Sequence, residues 1–274
     1  MKTNLAIVTT VRDEKPFMDE WLLYHKMIGA DHFFLYDDEP GLPLEAFCAP
    51  HQGYVTVTPL HGLSKKLPGE CRQNQAYTHA LNQFLGKYKW VAFIDVDEFI
   101  VLRQHENLED FLLSLDKDTH AVSLCWRMFG HCGFYKDPKG LVTANLVRRK
   151  RETDARVKTI SKCDSISSFV SQHWAELKEG RRIEISDEIA HVNHYQCRSF
   201  GRHMARVDRG DCTFTGEGND PTTIPKGLQW KLDKEACLRY FVEKVALNHN
   251  ELIDDHMLKY KPALEEAIKN LKRS

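Results

Sequence analysis

The sequence predicts an α/β fold with a mainly parallel central sheet and a helical C-terminal extension. Short apolar and β-branched runs alternate with segments of helical periodicity over the first hundred residues. The run over residues 90–101 is apolar enough for a strand covered on both faces. Beyond about residue 226 the pattern is helical and strongly charged. We therefore predict one large α/β domain over residues 1–225 and a helical extension over residues 226–274, packed on or beside it.

Composition excludes several classes of protein. The formal net charge of −1 argues against a general electrostatic grip on nucleic acid. The 8 cysteines are scattered without a Cys-x-x-Cys pair, which indicates reduced thiols rather than a disulfide framework or a zinc ribbon. No stretch reaches the ~20 apolar residues of a spanning helix, and the N-terminus has no signal-peptide pattern. We expect a cytoplasmic protein with at most peripheral membrane contact, such as at the cytoplasmic face of the inner membrane.

The first elements form a strand–helix–strand unit. Residues 5–11 are apolar and β-branched, Pro16 suits the first turn of a helix, and Gly29 stands where that helix would end. Residues 32–36 form the second strand, and Asp37 and Asp38 follow it. Asp37 is either a hydrogen-bond acceptor for a ribose or base, or the first residue of a turn.

The alternation continues toward the centre of the chain. Residues 54–58 predict a third strand, and residues 72–88 predict a helix whose start offers Gln73 to a ligand. The strand over residues 90–101 comes next. Such alternation implies right-handed crossovers and parallel strand pairing.

Two carboxylates interrupt the central apolar run. Side chains alternate along a strand, so Asp95 and Asp97 are expected on the same side, near the carboxyl end of the strand. Hard divalent cations prefer oxygen ligands, and open α/β sheets bind ligands at this edge. The alternative is a solvated turn after a core strand.

The second half carries further candidates. A helix over residues 108–115 precedes a strand over residues 121–126, and a glycine-containing loop over residues 127–134 should contact a ligand or another strand. Residues 146–160 are basic, typical of a solvated face or of an anion site. A strand-like run over residues 188–195 holds His191 and His194, which are three apart, so one of them is expected to reach the site. A helix over residues 200–207 and a candidate lid over residues 213–225 follow.

Several of these motifs occur in the same order as in a known protein family. The chain resembles the GT-A-fold glycosyltransferases of the family-2-like and family-92 group. The resemblance covers roughly residues 4–211 and rests on matches at residues 10–14, 20–25, 29–38, 73–77, 90–100, 126–130, 192–199 and 209–210. Two departures affect sugar contacts more than the fold. Asp13 replaces the usual Asn of the first loop, and His131 and Cys132 replace small residues.

The resemblance implies roles for particular residues. Asp95 and Asp97 match the family's Asp-x-Asp pair, which would position Mn²⁺ or Mg²⁺, with Asp97 favoured over Asp95 as the direct ligand. His194 matches a late histidine that completes the metal shell. The pocket for the donor nucleotide corresponds to Thr10, Arg12, Glu14, Asp37, Gln73 and Asp95. The general base is not identified by the motifs; Asp211 and Glu217 follow the His194 strand and are the candidates.

The implied reaction is metal-dependent transfer of a hexose, with inversion, from a UDP-sugar such as UDP-galactose to a glycan or lipid-linked glycan. Its expected setting is the assembly of surface polysaccharide or lipopolysaccharide. Two alternatives remain open. One is a phosphohydrolase that uses Asp95 as nucleophile and Asp97 as acid, although Phe99 stands where Thr or Val is usual there. The other is a non-catalytic module that binds a sugar nucleotide or a glycan.

Overall fold

The computed structural model describes residues 4–38, 43–60, 72–84, 86–209, 231 and 233–271. The strands are β1 (Leu5–Val11), β2 (His32–Asp37), β3 (Val55–Pro59), β4 (Trp90–Phe93), β5 (Glu98–Leu102), β6 (Thr119–Met128), β7 (Arg148–Arg149), β8 (Asp154–Lys162), β9 (Ile166–Ser171), β10 (Trp174–Leu177), β11 (Arg181–Glu184), β12 (Ala190–His194) and β13 (Leu252–Ile253). The α-helices are α1 (Lys15–Met27), α2 (Leu44–Cys48), α3 (Arg72–Phe84), α4 (Leu108–Leu113), α5 (Val142–Asn145), α6 (Phe200–Arg209), α7 (Lys234–Tyr240) and α8 (Lys261–Leu271). A π-helical turn, Phe241–Ala246, continues α7, and short 3₁₀ turns cover Ala49–His51, Cys163–Ser165 and His256–Tyr260.

One central sheet carries the fold, in the order β3-β2-β1-β4-β8-β6-β12-β5, with β11 beside β6. Strands β3, β2, β1 and β4 are parallel, as the βαβ pattern predicts, so the α/β prediction is confirmed. Strand β8 runs antiparallel to both β4 and β6. Because of that reversal, the start of β8 lies at the same edge as the carboxyl ends of β4 and β6.

Helix α1 packs its apolar face on the sheet. Met18, Trp21 and Leu22 are fully buried. The Trp21 indole N–H donates to the Glu98 carbonyl at 2.8 Å, and the Tyr24 hydroxyl donates to the Ile100 carbonyl at 2.8 Å. These two bonds attach the helix to the backbone of β5 and thereby fix where β5 begins.

The central apolar run is two strands, not one. Strand β4 ends at Phe93 and β5 begins at Glu98, because the chain leaves β1 and pairs antiparallel with β12 instead. Asp95 and Asp97 lie in the turn between them, so strand alternation does not set their directions, and the expectation that it would was wrong. The predicted helix over residues 72–88 likewise ends at Phe84.

The C-terminal residues return to the body of the domain. Strand β13 pairs with β7, and Leu264 of α8 is fully buried in the main core, where α8 packs against α1. The predicted boundary between residues 225 and 226 involves a stretch outside the described residues. Among the helices of the described part, none combines the length and apolar character that crossing a bilayer requires.

Candidate functional site

The site lies at the sheet edge where β4, β6 and β12 end and where β5 and β8 begin. The antiparallel register of β12 with β5 places His194 opposite Glu98, and the Tyr195 N–H donates to the Asp97 carbonyl at 2.8 Å. Parallel pairing with β6 sets His194 beside Met128. Sheet register, rather than sequence proximity, therefore brings His194 to the turn of the Asp-x-Asp motif.

Asp97 and His194 face each other across this turn. The Asp97 Oδ2 and His194 Nε2 atoms are 3.5 Å apart, with side-chain exposures of 16% and 5%. Burial alone would raise the pKa of Asp97, but His194, Arg198 and Arg206 outweigh it and hold that pKa well below its usual range. Asp97 is therefore a carboxylate, the form that a cation ligand requires.

Asp95 turns the other way, toward the protein. The Gln73 side-chain amide donates to Asp95 Oδ1 at 2.6 Å, and the Lys158 ammonium donates to Oδ2 at 3.0 Å. Both carboxylate oxygens are thus held from the interior side, although 34% of the side chain stays exposed. The two aspartates occupy different environments two residues apart.

Lys158 is a buried cation between two acids. Its Nζ atom lies 3.2 Å from Glu98 Oε2, and its side chain is 1% exposed. Burial by itself would lower the pKa of Lys158, but the charges of Asp95 and Glu98 raise it well above its usual value, so it stays protonated. The basic run was expected to be solvated or to bind an anion, and at Lys158 it does neither.

The loop after β1 is held by Arg198, which directly precedes α6, and by Arg202 within α6. Arg198, 2% exposed, donates to Glu14 Oε2 at 2.5 Å and to the Val96 carbonyl at 3.5 Å. Arg202 donates to the Asp13 carbonyl and lies 3.5 Å from Glu14 Oε2. Asp13 itself has a positive φ of 57°, a conformation that Asp tolerates better than most residues. These contacts join the first loop to the turn that holds Asp97.

The remaining predicted donor residues line the same edge. Thr10 lies near the end of β1, where it pairs with Tyr36 of β2. Arg12 Nη1 is 3.4 Å from Asp38 Oδ2. Asp37 Oδ2 accepts from the Leu44 N–H at 2.9 Å, at the start of α2. The structure thus brings Thr10, Arg12, Glu14, Asp37 and Gln73 to the carboxyl edge, and their nucleotide contacts stay a prediction.

Aromatic and charged side chains surround Trp126, which lies next to His194. Its ring centroid is 4.3 Å from that of His194 and 5.2 Å from that of His173, and the Arg156 guanidinium lies 4.7 Å from it. Arg156 is held by a bidentate pair with Asp154, at 2.8 Å for both bonds. The pair with Arg156 lowers the pKa of Asp154 to about 2.

The Asp97–His194 pair fits a divalent cation as a two-ligand site. Two protein atoms bound to one ion at about 2.1–2.2 Å lie roughly 3–3.5 Å apart, which matches the observed separation. In the described part of the chain, no three His, Cys, Asp or Glu side chains gather closely enough to enclose an ion. An ion held here would complete its shell with substrate oxygens and water, as Mg²⁺ commonly does.

Sequence reasoning missed Lys158, and several residues that it predicted for the site lie outside the described part of the chain. Asp211 and Glu217, the predicted bases, and the candidate lid over residues 213–225 lie outside the described residues. Lys158 was overlooked as a buried partner, although a single cation between Val157 and Thr159 in a strand is a usable signal. His191 hydrogen-bonds to the Asp187 carbonyl, so only His194 reaches the site, as expected.

Known proteins match much of this chain. The model of Glycosyltransferase family 92 matches residues 8–237. A family 92 protein of Oryza sativa subsp. japonica is 26% identical over 227 residues, which cover 81% of this chain and 38% of that protein. A family 92 protein of Arabidopsis thaliana is 25% identical over 231 residues, covering 78% of this chain and 39% of that protein. The chain thus spans somewhat over a third of these curated relatives.

The chain is less similar to proteins of known structure. Glucosyl-3-phosphoglycerate synthase from Mycobacterium tuberculosis, crystallised with Mn²⁺ and UDP-glucose, has 12% identity and a TM-score of 0.37 over 60% of this chain and 57% of its own. Mannosyl-3-phosphoglycerate synthase from Rubrobacter xylanophilus has 15% identity and a TM-score of 0.34 over 60% and 55%.

The family model covers the residues that build the edge described above, from the loop after β1 through the turn of Asp95 and Asp97 to His194 and α6. The match extends over most of the chain. The chain belongs to glycosyltransferase family 92.

Proposed function

We propose that this chain transfers a hexose from a nucleotide-sugar donor to a hydroxyl of a glycan or lipid-linked glycan, using Mn²⁺ or Mg²⁺ held by Asp97 and His194. The observation that carries the proposal is the meeting of the Asp97 carboxylate and the His194 imidazole at 3.5 Å on the ligand-binding edge of the sheet. Membership of a glycosyltransferase family supports the reaction class.

In this proposal the two aspartates have different roles, which their neighbouring side chains set. When bound, the cation would supply positive charge against the diphosphate leaving group. Lys158 and Gln73 hold Asp95 in place, so that its exposed side can accept hydrogen bonds from the nucleoside. Arg198 fixes Glu14 and the backbone of Val96, which keeps the turn that presents Asp97 in one conformation.

Finer assignments stay predictions. A UDP-hexose such as UDP-galactose as donor, inversion at the anomeric carbon, and a setting in surface polysaccharide or lipopolysaccharide assembly all derive from the resemblance. Inversion needs a general base to take the proton of the acceptor hydroxyl. Asp211 and Glu217 stay the candidates for that base.

The phosphohydrolase alternative fits the geometry less well. It requires one Asp95 oxygen to act as nucleophile, and both oxygens are engaged by Gln73 and Lys158. A non-catalytic binding module remains the second candidate, because a site with two metal ligands can hold a nucleotide sugar without turning it over.

Three measurements on the same protein, of nucleotide release, phosphoester hydrolysis and donor binding, separate these functions. The protein is incubated with UDP-, GDP- and CMP-hexoses, with and without Mn²⁺, and the released nucleotide is measured. Metal-dependent release from one donor supports the transferase. Phosphate release from simple phosphoesters would favour the hydrolase, and metal-dependent binding without release would favour the module.

Asp97→Asn should reduce nucleotide release by about 1,000-fold, because the amide loses the charge that holds the cation. Asp116→Asn is the matched control, since Asp116 pairs with Arg181 near the start of β6, far along the strand from the site. Circular dichroism should show both variants folded. Ordinary turnover by a folded Asp97→Asn variant would remove the proposed metal site.

His194→Ala should shift the Mn²⁺ concentration for half-maximal release upward by at least about tenfold, because one of two protein ligands is lost. The titration is compared with that of His191→Ala, whose side chain lies on the same strand but bonds to the Asp187 carbonyl. An unchanged titration for His194→Ala would assign the metal elsewhere.

A further inference from the structure

The segment over residues 249–254 lies beyond the family-matched region, and ion pairs and strand pairing attach it to β6 and β7. The Asp254 carboxylate binds three guanidiniums, those of Arg103, Arg127 and Arg149, at 2.9 to 3.2 Å. Strand β13 pairs with β7 at the same place. A carboxylate shared by three arginines holds the segment firmly against β5 and β6.

Gly130 lets the other end of this segment approach closely. A Cβ atom at Gly130 would lie 2.3 Å from the His249 carbonyl oxygen and 2.4 Å from Asn250 Oδ1. The Cys132 N–H donates to Asn250 Oδ1 at 2.9 Å. The glycine-containing loop after β6 was expected to contact a ligand or another strand, and the structure shows it against this segment. His249 is thereby carried to the end of β6, within electrostatic reach of His194, Asp154 and Arg156.

Polar groups without partners gather at this point. Among the described residues, the buried ring nitrogens Trp126 Nε1, His194 Nδ1 and His249 Nδ1 have no hydrogen-bond partner, and these residues are 4%, 4% and 7% exposed. Burial, followed by the nearby ammonium of Lys150, lowers the pKa of His249 to about 4. Unpaired buried donors and acceptors are costly, so several together beside a candidate active site indicate a ligand that pairs with them.

Resting on the proposed function, we propose that His249 completes a saccharide-binding subsite with Trp126, Asp154 and Arg156, on the β8 side of His194. This subsite takes the hydroxyl groups of a hexosyl unit. Its ligand is either the sugar of the donor or the first sugar of the acceptor.

The charge balance favours hydroxyls over an anion. The Asp154 carboxylate and the Arg156 guanidinium neutralise each other and stand side by side, with exposures of 21% and 47%. Adjacent hydroxyls of a sugar can donate to the carboxylate and accept from the guanidinium. The Trp126 N–H and the imidazole of His249 add one donor and one donor or acceptor. A phosphate would meet the Asp154 carboxylate at close range, which is unfavourable.

Saturation-transfer NMR tests the subsite directly. Free galactose, glucose and mannose are each added to the full chain with UDP and Mg²⁺, which avoids the paramagnetism of Mn²⁺. Wild-type protein and the control variant Asp116→Asn should transfer saturation to at least one hexose. Asp154→Asn and His249→Phe, which keep side-chain size, should weaken that transfer by about tenfold.

The result that overturns the subsite is plain. Either no hexose receives saturation from the folded wild-type chain, or folded His249→Phe and Asp154→Asn bind hexoses as well as wild type does. Proton spectra of each variant establish that it is folded.

Calorimetry then distinguishes the two sources of the sugar. UDP is compared with UDP-galactose and UDP-glucose. A loss of affinity for the UDP-hexose in His249→Phe, with unchanged UDP affinity, assigns the subsite to the donor. Unchanged affinity for both, with hexose binding lost, assigns it to the acceptor.

The experiments distinguish a wrong subsite proposal from a wrong proposed function. Hexose binding that depends on Asp154 and His249, without nucleotide release from any donor, would sustain the subsite and remove the transferase activity. Metal-dependent nucleotide release, with hexose binding indifferent to both substitutions, would do the reverse.

Discussion

At the scale of single residues, the two acids of the Asp-x-Asp motif differ through their partners. Asp97 meets His194, whereas Asp95 is held by Gln73 and by the buried ammonium of Lys158. A carboxylate that already binds a lysine is a weaker ligand for a cation, because its charge is partly neutralised. This difference supports the proposal that Asp97 is the direct metal ligand and that Asp95 has a positioning role.

Lys158→Met should weaken donor affinity by at least about tenfold, because Asp95 loses the contact that fixes its carboxylate. The chain should also be less stable, since removing one partner of a buried ion pair typically costs about 3–5 kcal/mol. Donor affinity is measured by calorimetry at a temperature where circular dichroism shows a folded chain. Lys162→Met, on the same strand but bonded to the exposed Lys117 carbonyl, is the control. Unchanged affinity in Lys158→Met would end the positioning role.

At the scale of elements, the geometry of the site depends on how successive strands pair in the sheet. Strand β5 continues from the Asp-x-Asp turn but joins β12, and its register opposite β12 carries His194 to Asp97. Strand β8 reverses direction between β4 and β6, which places Lys158, Arg156 and Asp154 at the ligand-binding edge. The C-terminal segment then adds His249 through its fit against Gly130.

Gly130→Ala should lower the free energy of unfolding by about 1–3 kcal/mol, because the added methyl group overlaps the His249 carbonyl and Asn250. Thermal and urea unfolding measure the effect. Gly53→Ala is the matched control, since a Cβ atom there meets nothing within 4 Å. Equal stabilities of the two variants would show that the segment over residues 249–250 does not depend on close contact at Gly130.

At the scale of the whole molecule, buried histidines make the stability of the fold depend on pH. His25 is fully buried in α1; its Nδ1–H donates to the Trp21 carbonyl at 2.9 Å, and its Nε2 accepts from the Ile100 N–H at 3.2 Å. Both nitrogens are therefore used by the neutral ring. Burial lowers the pKa of His25 to about 3, and burial likewise lowers that of His191 to about 3.

The sign of the pH effect follows from the unfolded chain, where a histidine has its usual pKa of about 6.5. Above that value both states are neutral, and these histidines add no pH dependence. As the pH falls from about 6.5 toward 3, the unfolded state binds the proton first, so stability should fall by about 1.4 kcal/mol per pH unit for each histidine. Urea unfolding measured between these limits tests this. His25→Gln should reduce the slope by one proton, and an identical slope would contradict it.

Much of the fold could be predicted from local patterns. The βαβ start and the end of α1 just before Gly29 follow from periodicity and turn chemistry. Spacing predicts that only one of His191 and His194 reaches the site, and the family resemblance selects His194. The strands β8 to β11 were not predicted, because basic and polar residues mask their alternation. Lys158 was misjudged for a different reason: its partners Asp95 and Glu98 are more than fifty residues away in the sequence.

By itself, the sequence determined the α/β class and the family, and it supplied Asp95, Asp97 and His194 as candidates for the site, because these depend on residue type and local order. Only the tertiary structure decided which acid faces His194, which one Lys158 pairs with, and that His249 lies against Gly130. Those outcomes depend on strand register and on the close approach at Gly130. They are set by long-range pairing that no local pattern encodes.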